Sequence, residues 1–141
     1  MVAIGIAVHS NRRVDKERCI SALRYATSAI PTIIRLRNYA NNLYFMIMTM
    51  PKDKVEKAEK DRLQSMIGDL ASGISAFDLT QFELLDTECA DLLCRAGMTC
   101  LRAERAAWTL PASADACMEE LNAIKDILLI LMGRVSELRV A

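Results

Sequence analysis

The stretch CMEELNAIKDILLILMGRVSEL, residues 117–138, decides the fold class. Its apolar residues Cys117, Leu121, Ile124, Leu128, Leu131, Val135 and Leu138 recur at alternating steps of four and three. That spacing is a heptad seam, the signature of a helix packed along its length against other helices. Ile127, Leu129, Ile130 and Met132 add apolar surface on its other sides. A helix apolar all round is expected at the centre of a bundle. Its start is expected around Ser113 to Asp115.

Upstream, Leu85, Cys89, Leu92, Ala96, Cys100, Ala103 and Ala107 repeat in the same way. Thr80-Gln81-Phe82-Glu83 reads as a capping box that starts this helix, with Leu79 and Leu84 as its hydrophobic staple. The helix is expected to end between Trp108 and Pro111. Before it, Val55, Ala58, Leu63, Met66, Ile67, Leu70 and Ile74 form a narrower stripe. Pro51 suits the first turn of that helix, and Ser72, Gly73 and Ser75 mark its end. Further upstream, Asp15 is a candidate cap for a helix carrying Cys19, Ala22, Leu23, Ala26 and Ile30. Pro31 is expected to interrupt or kink it, because proline lacks an amide and clashes with the preceding turn. A second helix then runs from about Thr32 to Met48, seamed by Leu36, Ala40, Leu43, Ile47 and Met50. Residues 43–50 carry no charge, so this half is expected to be buried on most sides.

These elements predict an all-α fold, an antiparallel bundle of four long helices with a short or broken fifth. The chain of 141 residues fits one domain. Residues 15–141 form the expected helical-bundle domain, and residues 1–14 an apolar N-terminal arm or helix extension. The composition agrees: five Gly and three Pro are too few for a turn-rich β-sandwich. With 52% hydrophobic and 26% charged residues, the chain is expected to fold.

The expected setting is the cytoplasm, without a membrane span. The apolar start, residues 1–8, is too short to cross a bilayer, and Arg12 and Arg13 follow it rather than precede it as in a signal peptide. Five cysteines make an odd number with no CxxC pair. They are expected to be reduced thiols, mostly buried, rather than a disulfide framework.

Several chemistries find no support. The single histidine, His9, leaves no Glu-x-x-His pair for a di-iron bundle. Cys89 and Cys100 share a helix face but lie three turns apart, roughly 16 Å, too far for one zinc ion. No thiol is paired with the histidine, and no GxSxG elbow, P-loop or GxGxxG is present. No catalytic residue, metal ligand or cofactor is therefore expected, and the chain is not read as an enzyme.

The charge is uneven. Lys plus Arg and Asp plus Glu are both 18, so the net charge is zero. Arg12, Arg13, Lys16, Arg18, Arg24, Arg35 and Arg37 nevertheless form a basic block relieved only by Asp15 and Glu17. Asp78, Glu83, Asp86, Glu88 and Asp91 form an acidic stretch with no basic residue among them. Glu83, Asp86, Glu88 and Asp91 read as an acidic face that favours a helix N-terminus. Arg95, Arg102 and Arg105 follow on the same helix. Opposite blocks of this kind are solvated faces, pair within one subunit, or meet across an interface and steer a partner.

Mean hydropathy is +0.16, and eight methionines include Met46, Met48 and Met50 in one short run. This apolar surplus fits an oligomer or a bundle that receives another protein's helix. The leading expectation is a non-enzymatic helical protein–protein interaction module of adaptor, chaperone, immunity or anti-activator type. It is expected to pair with itself as a homodimer or larger homo-oligomer, and with another protein as a regulator. Arg12, Arg13, Lys16, Arg35 and Arg37 are the candidate steering charges, with Met46, Met48 and Met50 as apolar contacts. Two alternatives stand beside it. One is a bundle holding an apolar small molecule between its helices, in a cavity lined by Met, Cys and Ala. The other is a nucleic-acid-associated regulator using the basic block at 12–37. Few aromatic residues and the interrupting acids weigh against the second.

Overall fold

The computed structural model describes the backbone of residues 2–139 and the side chains of residues 16–139. It contains α1 (Val2–Met48), α2 (Lys57–Ser75), the short α3 (Leu79–Leu85), α4 (Thr87–Ala107) and α5 (Ala114–Glu137). Among the described residues there is no strand. Four long helices and one short one make an all-α bundle, as the periodicity predicts.

The helices close a ring. α5 packs between α1 and α4, α2 packs against α1 and α4, and α3 bridges α1 to α4. Side-chain ties fix the directions. Arg102 in late α4 pairs with Glu120 in early α5 at 3.2 Å. Arg134 near the end of α5 pairs with Asp86 at the start of α4. Those helices are therefore antiparallel. Gln64 in early α2 donates to the carbonyl of Ala107 at the end of α4, 3.3 Å away. The core between them is built from the expected seams. Leu63, Ile67, Leu70, Cys89, Ala96, Cys100, Ala103, Leu121, Ile124, Leu128 and Leu131 are all buried.

Four local expectations are corrected. First, Pro31 does not break the chain: α1 runs unbroken from Val2 to Met48 with Pro31 inside it. Pro31 and Thr27 are both exposed, so water can reach the carbonyl that proline leaves without an amide. Ala22, Ala26, Ala29 and Ile33 stay buried through the site and hold the helix together. Because α1 already starts at Val2, Asp15 does not open it.

Second, α2 begins at Lys57 rather than Pro51. Residues 49–56 form a connection whose charged positions 52–54 are exposed, while Met50 is buried and Val55 packs against the core without helical structure. Third, the capping box at Thr80 is not the helix start. Asp78 caps α3 by accepting from the Thr80 amide at 3.1 Å, and the helix stops at Asp86, whose φ of −170° is fully extended. α4 starts afresh there. Phe82, fully buried, anchors α3 through edge-on contacts with Tyr25 at 5.8 Å and Phe77 at 6.0 Å.

Fourth, neither strongly apolar segment is central. In α5, Leu129 is 44% and Ile130 54% exposed, while in α1 Phe45 and Met48 are also exposed. A ring of four walls leaves each wall one outward face, and these side chains occupy it.

Candidate interaction surface on α4 and α5

The residues singled out in the sequence do not gather in one place. The side chains of Arg12 and Arg13 lie outside the described residues. Lys16 and Arg35 are exposed, and Arg37 is half-buried. Arg35 donates to the Thr32 hydroxyl at 3.1 Å. Arg35 and Arg37 are two residues apart on one helix, so they leave it about 200° apart around the axis. The same spacing separates the half-buried Met46 from the exposed Met48. Met50 is buried at 6% exposure and belongs to the core rather than to a contact surface.

The acidic residues divide. Glu83 on α3 and Asp91 on α4 are exposed. Glu88 is exposed but engaged with Arg134 at 2.9 Å. Asp86 is a half-buried structural group rather than part of a free acidic face. Its carboxylate caps α4 by accepting from the Glu88 amide at 3.4 Å and from the Cys89 thiol at 3.5 Å. It also accepts two hydrogen bonds from Arg134. The Arg134 guanidinium, with a smaller contribution from Cys89, holds the Asp86 carboxyl below its ordinary value against the opposing effect of burial. Burial, reinforced by the Asp86 charge, pushes the Cys89 thiol up to about 11.

A surface that the sequence reading passed over emerges on α4. The inward residues Leu92, Ala96, Cys100, Ala103 and Ala107 are buried, as their seam requires. The opposite face follows the same steps of four and three through Asp91, Cys94, Met98, Leu101, Arg105 and Trp108, and every one of these is exposed. An ordinary surface helix is polar there. Here Met98 is 61%, Leu101 55% and Trp108 65% exposed. Together with Ile130 on α5 at 54%, they are the four most exposed large apolar side chains among the described residues. The signal was present in the sequence as a second heptad register, two residues out of step with the first.

Met98 and Ile130 line a groove of about 460 Å³ between α4 and α5, together with Arg95, Arg102 and Asp126. Buried Ile127 and Thr99 line it. Thr99 is fully satisfied: its hydroxyl donates to the Arg95 carbonyl at 2.7 Å and accepts from Arg102 at 3.0 Å. The arrangement combines exposed apolar side chains with charged ones, a mixture that an amphipathic helix could complement. It presents no paired nucleophile and base. Among the described residues no group of three or more His, Cys, Asp or Glu is placed to hold a metal ion. No helix of the described residues is long and apolar enough to cross a membrane. No protein-family model, curated protein or solved structure matches this chain.

Proposed function

We propose that this chain is a helical protein–protein interaction module of adaptor or regulatory type, working without catalysis and associating with itself. The observation that carries the reading is the outward apolar stripe of α4, continued by Ile130 across the groove. Leaving Met98, Leu101, Trp108 and Ile130 in water is unfavourable, at about 25 cal/mol for each Å² of apolar surface. Exposed apolar side chains gathered on one face of a helix support a docking surface there. The five free thiols support a reducing, cytoplasmic setting.

The test is light scattering on the untagged chain across a concentration series, with Leu101→Lys beside it. Wild type is expected at twice its 15.7 kDa or above, and Leu101→Lys at the monomer mass with unchanged helicity. A wild-type protein that stays monomeric at every concentration refutes self-association.

A further inference from the structure

We infer that the occupant of the α4 stripe is a second copy of this chain, its own α4 lying antiparallel to the first across a two-fold axis at Met98. The inference rests on the self-associating reading above and supplies its geometry. A two-fold interface is self-complementary, so residue i of one copy meets residue j of the other, and j meets i. The stripe has that symmetry. Met98 lies seven residues from the acid Asp91 and seven from the base Arg105. Both charged side chains are exposed, and neither forms an ion pair among the described residues.

Asp91 and Arg105 stand fourteen residues apart, about 21 Å along the axis at 1.5 Å per residue. They cannot pair within one helix. Turning a second α4 around and centring it on Met98 puts Asp91 of each copy beside Arg105 of the other, twice per dimer. A parallel arrangement would set acid on acid and base on base. Antiparallel packing also opposes the two helix dipoles favourably.

Leu101 and Cys94 also find neighbours in this register, and Trp108 falls opposite Glu88 of the other copy. Met98 meets its own copy at the axis, Leu101 lies over Arg95 and its aliphatic stem, and Cys94 lies near Arg102. Glu120 already compensates Arg102 within its own chain at 3.2 Å. A methyl group built at Gly97 would meet nothing within 4 Å, so the backbone beside the axis is open to close approach. The groove beside Met98 then receives apolar atoms from the partner. Among the described residues the outer face of α1 offers less: Ile20, Ile34, Phe45 and Met48 are each under half exposed and are scattered along the helix.

The experiment compares wild type, Asp91→Arg, Arg105→Asp and the double exchange by sedimentation velocity and light scattering. Thermal melts followed by circular dichroism check that each chain folds. Each single exchange sets like charges against each other at both symmetric sites and is expected to raise the dimer dissociation constant about tenfold or more. The double exchange restores opposite charges and is expected to return it to near the wild-type value. A stable dimer indifferent to the single exchanges, or a double variant no tighter than the singles, overturns the α4 geometry and leaves self-association standing. A wild-type chain monomeric throughout removes self-association and the geometry with it. Disulfide trapping gives an independent reading. Met98→Cys in a Cys94→Ser background should form a covalent dimer under mild oxidation, because the two residues meet at the axis. Failure to cross-link while dimers persist also overturns the register.

Discussion

Replacing Asp86 by alanine removes the acceptor that starts α4. The carboxylate takes the Glu88 amide and the Cys89 thiol and receives Arg134 from the far end of α5. Loss of a helix cap costs about 1 kcal/mol, within a range of roughly 0.5–2. The ion pair adds little to this, because Arg134 is 40% exposed and surface pairs are screened. Asp86→Ala is therefore expected to lower stability by about 1–2 kcal/mol in urea melts at neutral pH. Asp86→Asn keeps an oxygen in the capping position and should lose less than half as much. Wild type and Asp86→Asn also differ in acid. A carboxyl with a lowered folded value contributes stability that is fully present above its unfolded value, about 3.9. That contribution is lost as pH falls through the folded value. Wild type should thus lose more stability than Asp86→Asn below about pH 4. If alanine and wild type melt alike, or if asparagine is as damaging as alanine and follows the wild-type acid slope, the cap does not hold α4 in the way described.

Other positions give sharper readouts. Native alkylation with iodoacetamide, read by mass spectrometry, should label exposed Cys94 and spare Cys89, Cys100 and Cys117 until denaturant is added, since those three are buried with thiols pushed up to about 11, 12 and 11. Pro31→Ala should raise stability by about 2 kcal/mol in urea melts, because it restores an amide inside a helix that already runs through the site. Gly133→Ala meets open space and should stabilise by about 0.5–1 kcal/mol. Gly73→Ala should fall short of that gain in the same melts, since its methyl group would lie 2.6 Å from a methyl of Leu36 on α1.

The parts of the fold legible in the sequence were those fixed by burial along one helix. The α5 seam from Cys117 to Val135 is buried at every expected position, because a heptad pattern and a packed stripe are the same fact. Breaks were harder to place. Leu85, Cys89 and Leu92 keep their spacing across Asp86, so the periodicity runs straight over a helix end set by one extended residue and its partner Arg134. That partner lies 48 positions away, beyond any local signal. Pro31 is the converse, a strong local signal overruled by packing on the buried side. The exposed α4 stripe leaves no mark in composition. Runs of charge and methionine along α1 look like a patch in one dimension, but a helix distributes them around its axis. The α4 stripe contains no run at all, and shows only when the outward register is read by itself.

The connection at residues 49–56 has a consequence of its own. It joins α1 to the rest of the ring through exposed chain carrying Lys52 and Lys54, while Met50 just before it is seated in the core. Tryptic cleavage at either lysine would leave the packed interface of α1 with α2 and α5 untouched. What the intact peptide supplies across that gap is effective concentration, so the severed halves behave as two complementary fragments whose association becomes bimolecular.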